Sequence, residues 1–208
     1  MRLTDYTHVF IDFDETLFCH ESYIEWLAKY LKKVYGVDTT EFLASFDDYH
    51  DVQDSDGLLR LYRHEQHLLE KTGLAWDMLS GEIEAVIRSE SKDFCYPEVH
   101  ESIEAISVNK NTGIRLLTYG DGAYQRFKIN LCPHMQKIPI HVVGEAKSNF
   151  LAKHYSDAGI QGVLIDDKAP LIMPSNWQHV WVNRNGRAKP GQSECIEIQD
   201  LSGLARRK

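Results

Sequence analysis

The chain has 208 residues and a mass of 24.0 kDa, enough for one domain or for one domain with a sizeable insertion. Its mean hydropathy is −0.39, and no run approaches the roughly 18 apolar residues of a membrane span. With 23 basic and 31 acidic residues the formal net charge is −8, which argues against nucleic acid and anionic membranes as partners.

The cysteine spacing and the N-terminal sequence bear on the cellular location of the protein. Cys19, Cys95, Cys132 and Cys195 lie far apart in the sequence and form no Cys-x-x-Cys pair. This spacing favours reduced thiols over a disulfide framework or a zinc site. The first residues, MRLTDYTHVF, lack the basic-then-apolar pattern of a secretory signal. We therefore expect a cytoplasmic protein.

The first half of the chain begins with one strand and continues as helices. His8–Ile11 is a short apolar run of the kind found in buried parallel strands. From about 18 to 94 the apolar residues recur at helical spacing, and no strand is predicted. Four helices are predicted here. The first spans 23–34, the second begins at the capping residue Asp38, the third begins just after Asp56, and the fourth spans 76–87.

After about residue 95 the pattern changes to strands that alternate with helices. The predicted strands are 114–117, 140–143, 162–165 and 179–182. Three helices are predicted between and before them: one that begins at Pro97, one over 124–131 and one over 149–155. Such alternation implies right-handed crossovers and a mostly parallel sheet. We therefore predict an α/β core over 1–17 and 95–208, split by an all-helical insertion over 18–94.

Polar side chains follow four of the predicted strands, at the point where each strand ends. They are Asp12 and Asp14 after the first strand, Thr118 after the second, Lys147 just beyond the third, and Asp166 with Asp167 after the fourth. Open α/β sheets bind ligands at the carboxyl ends of their strands. Taken singly, each residue is better explained as a turn residue, a helix cap or a solvated side chain. The occurrence of all of these residues at the ends of apolar strands indicates a functional site.

In this order the motifs resemble those of the haloacid dehalogenase superfamily of hydrolases, most of which are Mg²⁺-dependent phosphatases. The segment Asp12-Phe13-Asp14-Glu15-Thr16 is similar to the first motif, Asp-x-Asp-x-Thr behind an apolar strand. Thr118 matches the Thr or Ser of the second motif, and Lys147 matches the lysine of the third. Asp166-Asp167 matches the acidic pair of the fourth. The resemblance implies a Rossmann-like three-layer core.

The resemblance also implies which residues hold a metal ion. Asp12 would be the nucleophile that takes the phosphoryl group as an aspartyl-phosphate, and its other oxygen would bind Mg²⁺. The backbone carbonyl of Asp14 would be a second ligand. Asp166 and Asp167 would provide the rest, with Asp167 favoured as the direct ligand. These are the hard oxygen donors that Mg²⁺ prefers.

Three further residues would act on the phosphoryl group. Asp14 lies two residues after Asp12, so in an extended segment both side chains point the same way. Asp14 would protonate the leaving oxygen and later take a proton from the hydrolytic water. Thr118 would donate a hydrogen bond to a phosphoryl oxygen, and Lys147 would neutralise the negative charge. Dehalogenases of the superfamily lack an Asp at the second position, so Asp14 favours phosphoryl transfer.

The helical insertion matches the family only in its position and its all-helical character. The family places a cap there that closes over the site, which favours a small phosphorylated metabolite as substrate. Candidate specificity residues lie near the hinges and the second motif, although a surface or packing role suits each equally well: His20, Glu21, Tyr23, Tyr119 and Asp121.

Other functions fit parts of the same pattern. Transfer of the phosphoryl group to an acceptor other than water, as in phosphomutases, would use the same residues. Receiver-like signalling modules combine an acidic pair, Thr or Ser and Lys on a parallel sheet, but in a different order and without an insertion. A catalytically silent member would only bind a partner. The pattern indicates neither the particular substrate nor the oligomeric state.

Overall fold

The computed structural model describes residues 3–46, 62–107, 113–168, 172–188 and 195–205. Within them the chain forms six strands: β1 His8–Ile11, β2 Gly113–Tyr119, β3 Ile140–Val143, β4 Gly162–Asp166, β5 Trp177–Val182 and β6 Cys195–Ile198. The α-helices in the same residues are α1 His20–Tyr35, α2 Thr39–Ala44, α3 Tyr62–Thr72, α4 Trp76–Ser89, α5 Val99–Ser107, α6 Gly122–Asn130, α7 Lys147–His154 and α8 Ser202–Ala205. Short 3-10 turns lie at Leu3–Asp5 and Pro133–Met135.

The six strands form one sheet in the order β3-β2-β1-β4-β5-β6, and every neighbouring pair is parallel. From β1 the chain builds β2 and β3 on one side and then β4, β5 and β6 on the other. The order in which strands are added to the sheet therefore reverses at β1, between β2 and β4. Ligands of open α/β sheets bind at such a switch point, beyond the carboxyl ends of the strands.

The centre of the sheet is buried because β1 and β4 carry continuous apolar runs. Val9, Phe10 and Ile11 of β1 are fully buried. On one face the sheet packs against α7 in a cluster of six buried residues: Phe10, Leu117, Val143, Leu151, Leu164 and Trp177. Burying a large apolar side chain stabilises the fold by about 1.5–3 kcal/mol, so this cluster helps to hold α7 against the sheet.

The chain divides into two compact units. The sheet unit comprises 1–19, 95–119 and 134–208, and the helical unit comprises 20–94 and 120–133. The sequence pattern placed α6 with the core, whereas its segment belongs to the helical unit. The reason is aromatic packing: the ring of Trp76 lies 5.4 Å from the ring of Tyr124 and 5.3 Å from that of Phe127.

Within the helical unit, α1 and α4 each bury apolar residues that recur at helical spacing. Leu27 and Leu31 of α1 and Ile83 of α4 are fully buried. Polar contacts join the same two helices: Glu82 accepts hydrogen bonds from the hydroxyls of Tyr30 and Tyr35, the latter at 2.7 Å. None of the helices in the described ranges is long and apolar enough to cross a membrane.

The prediction of a Rossmann-like α/β core with an inserted all-helical segment is confirmed, and each strand predicted from the sequence is present. Three details differ or stay open. The sequence pattern missed β6 and α8, which are four residues each. Helix α7 begins at Lys147 rather than at Asn149. The predicted helix start after Asp56 lies outside the described residues.

One glycine of the sheet is required by close packing. A Cβ at Gly162 would lie 2.5 Å from the ring of Trp177, its partner across β4 and β5. That ring is buried and its Nε1 donates to the carbonyl of Tyr155 at 3.0 Å, so it has little room to move. We expect Gly162→Ala to lower the free energy of unfolding by about 1–3 kcal/mol through overpacking. Urea denaturation measures this.

The matched control is Gly81→Ala, because Gly81 is exposed within α4 and a Cβ there meets nothing within 4 Å. It should leave stability unchanged or raise it by up to about 1 kcal/mol, since alanine favours helix. Equal effects of the two substitutions would contradict the packing argument.

A second stability prediction concerns His64 of α3, which is 1% exposed. Its Nδ1 lies 2.7 Å from the hydroxyl of Ser45, and its ring lies 3.9 Å from the ring of Phe46. Burial lowers the pKa of His64 to about 3. The unfolded chain, with a histidine pKa of about 6.5, binds the proton more readily. This contribution to stability is therefore complete above pH 6.5 and is lost as the pH falls below it.

Between pH 7.5 and 5.5 we expect the wild-type chain to lose about 1 kcal/mol more stability than His64→Leu, measured by urea denaturation at both pH values. His154→Leu, at an exposed histidine, serves as the control and should behave like the wild type. If the wild-type chain loses no more stability between these pH values than His64→Leu does, the imidazole is not held neutral by burial.

Candidate active site

The structure brings all six predicted site residues to one cavity of about 520 Å³ in the sheet unit. Asp12 follows β1, Thr118 lies in β2, and Asp166 is the last residue of β4. The cavity lies at the switch point of the sheet. Its lining comprises Asp12, Asp14, Glu15, Thr118, Tyr119, Ala146, Lys147, Asp166, Asp167 and Lys168.

A buried lysine joins two of the carboxylates. Lys147 is the first residue of α7, and its Nζ lies 2.5 Å from Oδ1 of Asp12 and 2.6 Å from Oδ2 of Asp166. The three side chains are 9%, 6% and 1% exposed, respectively. Removing one member of such a buried ion pair leaves an uncompensated charge and costs about 3–5 kcal/mol. This arrangement therefore holds the ends of β1 and β4 and the start of α7 in one geometry.

The two residues of the acidic pair have different surroundings. Both carboxylate oxygens of Asp166 accept hydrogen bonds, Oδ2 from Lys147 and Oδ1 from the backbone N–H of Lys168 at 2.8 Å. Asp167 is held chiefly by its backbone carbonyl, which accepts from Nε1 of Trp181 at 2.9 Å and from Arg187 at 2.8 Å. From the described part of the chain its carboxylate receives only a long contact of 3.4 Å from Arg187. Asp167 thus offers the better-placed free oxygen of the pair.

The donor set fits a divalent cation. One carboxylate oxygen from each of Asp12, Asp166 and Asp167 lies within 4.8 Å of the others. Burial, together with the charges of the neighbouring carboxylates, raises the pKa of Asp12 against the opposing effect of Lys147. Burial and the charge of Asp166 also raise the pKa of Asp167. One ammonium does not balance this charge, and Mg²⁺ prefers such oxygen ligands.

The loop after β1 has an unusual backbone conformation beside the site. Glu15 has a φ of 58°, in the left-handed region that residues other than glycine seldom adopt. Its N–H donates to the carbonyl of Phe18 at 2.7 Å, and its carboxylate accepts from the hydroxyl of Tyr96 at 2.7 Å. Together these contacts turn the chain sharply after Asp14, which lines the cavity.

The candidate specificity residues separate into different groups. Tyr119 lines the cavity beside Thr118, which is 1% exposed. Asp121 instead caps α6, accepting from the N–H groups of Ala123 and Tyr124 at 2.8 and 2.9 Å. The remaining three, His20, Glu21 and Tyr23, belong to the first turn of α1 in the helical unit.

Sequence reasoning missed the cavity residues Glu15 and Lys168 and the two arginines that contact the site loops. Glu15 and Lys168 adjoin matched motifs, so their positions in the sequence were a usable signal. Arg184 and Arg187 lie in the segment after β5, and no motif marks them. Arg184 contacts Glu15, about 170 positions away in the chain, and Arg187 contacts Asp167, 20 positions away.

A scan of protein-family models and a search of curated proteins give no match to this chain. Solved structures do match it. A haloacid dehalogenase-like hydrolase of Burkholderia xenovorans LB400 has a TM-score of 0.66 at 15% identity, covering 96% of this chain and 95% of that one. A haloacid dehalogenase-type phosphatase of Thermococcus onnurineus has a TM-score of 0.61 at 18% identity, covering 95% of each chain.

An L-2-haloacid dehalogenase of Xanthobacter autotrophicus, with chloropropionic acid covalently bound, has a TM-score of 0.59 at 9% identity and covers 97% of each chain. These matches show that the chain has the haloacid dehalogenase-like fold, as the motifs implied. At such low identities they establish the fold and not the reaction, since the similar structures include both a phosphatase and a dehalogenase.

The metal-binding assignment generates a prediction that needs no substrate. We expect Mg²⁺ to raise the melting temperature of the wild-type chain, because binding to the folded state alone stabilises it. Asp167→Asn should weaken Mg²⁺ affinity by at least about tenfold, measured by calorimetric titration, since it removes one charge and one donor. Asp166→Asn should weaken it less, because both oxygens of Asp166 already accept hydrogen bonds.

The control is Asp157→Asn at an exposed position of the sheet unit, which should leave Mg²⁺ binding unchanged. A larger loss of Mg²⁺ affinity in Asp166→Asn than in Asp167→Asn would make Asp166, not Asp167, the direct ligand.

Proposed function

We propose that the protein is a Mg²⁺-dependent phosphatase that hydrolyses a small phosphate monoester through an aspartyl-phosphate on Asp12. The observation that carries the proposal is the meeting of Asp12, Asp14 and Lys147 at one cavity beside the pair Asp166 and Asp167. It combines a nucleophile, an acid, a fixed positive charge and a set of metal donors.

The first chemical step is attack by the Asp12 carboxylate on phosphorus. A bond forms between an oxygen of Asp12 and phosphorus while the bond from phosphorus to the leaving oxygen breaks. Asp14 donates its proton to that oxygen, so the product leaves as a neutral hydroxyl group. Asp12 and Asp14 stand at the start of the same loop and line the same cavity, which suits this division of roles.

The second step regenerates the enzyme. Water attacks the phosphorus of the aspartyl-phosphate, the bond from phosphorus to Asp12 breaks, and inorganic phosphate forms. Asp14, now ionised, takes the proton of the water. Lys147 and the hydroxyl of Thr118 would stabilise the negative charge of the phosphoryl oxygens in both steps. Bound Mg²⁺ would supply the positive charge that screens the dianionic ester from the carboxylates.

Two features favour phosphoryl transfer over dehalogenation. A halide leaves as a stable anion and needs no proton, so a dehalogenase has no use for an acid at Asp14. The three carboxylates Asp12, Asp166 and Asp167 also lie together with one lysine, an arrangement that suits a divalent cation. Transfer to an acceptor other than water, as in a phosphomutase, would use the same first step and differ only in the second.

The substrate class follows from the dimensions and charge of the site. A cavity of about 520 Å³ lies within the roughly 300–1,000 Å³ range of sites for small molecules. Lys147 and Mg²⁺ would attract a phosphate group locally, against a chain of net charge −8. We therefore propose a small phosphorylated metabolite, not nucleic acid, as the substrate, and the cysteine spacing favours a cytoplasmic location.

The test is turnover of 4-nitrophenyl phosphate with Mg²⁺, followed by a screen of phosphorylated metabolites. Asp12→Asn should reduce kcat by at least about 1,000-fold because an amide is a poor nucleophile, with the fold retained by circular dichroism. Asp157→Asn, the exposed control, should keep wild-type activity.

Beryllofluoride, which mimics a phosphoryl group, should bind the wild-type chain only with Mg²⁺ and should not bind Asp12→Asn. Wild-type turnover by Asp12→Asn would refute the assignment of the nucleophile. Metal-independent release of halide from a 2-haloacid, without phosphatase activity, would replace the proposed reaction by dehalogenation.

A further inference from the structure

A partly buried arginine contacts the backbone of the loop that follows Asp14. Nε of Arg184 donates to the carbonyl of Glu15 at 3.2 Å, and Nη2 donates to the carbonyl of Thr16 at 2.7 Å. Two successive carbonyls of the loop are thus held by one guanidinium. Because the group is planar and its donors have fixed directions, it restrains both the position and the orientation of the loop.

The guanidinium is itself held on two further sides. Nη2 of Arg184 lies 2.6 Å from a carboxylate oxygen of Glu98, and the guanidinium carbon lies 3.5 Å from the centre of the Tyr96 ring. The side chains of Arg184 and Glu98 are only 14% and 18% exposed. Removing them from water strengthens the ion pair, and stacking on an aromatic face suits a guanidinium.

The turn that carries Arg184 is also fixed. The side chain of Asn183, 2% exposed, accepts from the N–H of Arg187 and donates to its carbonyl, both at 2.8 Å, and donates to Glu197 at 2.7 Å. These bonds close the turn between Asn183 and Arg187. Arg184 therefore extends from a hydrogen-bonded turn, whose second arginine, Arg187, donates to the carbonyl of Asp167.

The restrained loop is one that would not hold its conformation unaided. The left-handed φ of Glu15 costs free energy in any residue with a Cβ, so surrounding contacts must maintain it. Tyr96 provides one such contact through its hydroxyl bond to the Glu15 carboxylate, and Arg184 provides two through the backbone. Asp14 lies at the start of this loop.

We propose that Arg184 is a positioning residue for the site. By holding the carbonyls of Glu15 and Thr16 it fixes the loop at whose start Asp14 lies, and thereby directs the Asp14 carboxyl toward the leaving oxygen. The part of this inference that concerns the leaving oxygen rests on the proposed function. The restraint of the loop does not, and it can be measured separately.

The test substitution is Arg184→Lys, which keeps the positive charge beside Glu98 but removes the paired donors. Its control is Arg88→Lys, because Arg88 forms an exposed pair with Glu84 in the helical unit. Hydrogen exchange followed by mass spectrometry reports on peptides covering residues 13–18. Arg184→Lys should accelerate exchange there by at least about tenfold relative to peptides from β4 and β5, and Arg88→Lys should not.

The second measurement is kcat/KM with Mg²⁺ for two substrates. An alkyl phosphate has a poor leaving group that needs protonation, whereas 4-nitrophenyl phosphate has a good one that does not. Arg184→Lys should lower kcat/KM for the alkyl phosphate about tenfold more than for the aryl phosphate, because a misdirected Asp14 is a weaker acid catalyst. A general loss of folded protein would lower both values equally.

Tyr96→Phe gives an independent variant should Arg184→Lys fold poorly. It keeps the ring beneath the guanidinium and removes only the hydroxyl bond to Glu15, so it should change the substrate ratio in the same direction by a smaller factor.

Unchanged exchange at 13–18 in both variants would overturn the restraint. Faster exchange with equal losses for both substrates would overturn the link to Asp14. Absence of phosphatase turnover by the wild-type chain would refute the proposed function, while the exchange result would still decide whether Arg184 restrains the loop.

Discussion

The ammonium of Lys147, buried between the carboxylates of Asp12 and Asp166, is the interaction on which the rest of the site depends. It joins the ends of β1 and β4 to the first residue of α7, and none of these charges is stable in a buried position alone. The arrangement still leaves an excess of negative charge, because Asp167 adds a third carboxylate nearby. The same contacts that stabilise this part of the fold therefore form a donor set that fits a cation.

The topology of the sheet explains why distant motifs meet. β1 pairs in parallel with both β2 and β4, with Ile11 opposite Leu116 on one side and Ile165 on the other. The hydrogen bond from the N–H of Asp12 to the carbonyl of Ile165, at 2.8 Å, continues this pairing to the strand ends. Asp12 and Asp166 are thus neighbours because three apolar strands align in register. The active geometry is a consequence of burying those strands.

The apolar strands and the residues at their ends could be predicted from the sequence because each is a local pattern. Burial of Phe10 or Leu164 requires only that the run be apolar, and the residue after the run must then emerge at the edge of the sheet. The place of α6 could not be predicted in this way, because it depends on the contact of Tyr124 with Trp76, about fifty residues away. Asp121 shows the same limit, since a helix cap and a specificity residue have the same sequence signal.

Arg184 shows why the supporting residues of a site are harder to predict than its reacting groups. The candidate reacting groups are confined to strand ends and to a few residue types, because the proposed phosphoryl transfer would need carboxylates and a fixed cation. A carbonyl of the Glu15 loop, by contrast, accepts from any donor that reaches it, so the donor can come from any adjacent segment and leaves no motif. Asp166 and Asp167 are the same residue type side by side. Their surroundings differ because Lys147 and the N–H of Lys168 donate to the two oxygens of Asp166, whereas the Asp167 carboxylate has a long contact with Arg187. This difference is the reason for proposing Asp167 as the direct metal ligand. The roles in this site are therefore set by the hydrogen bonds that each group already makes.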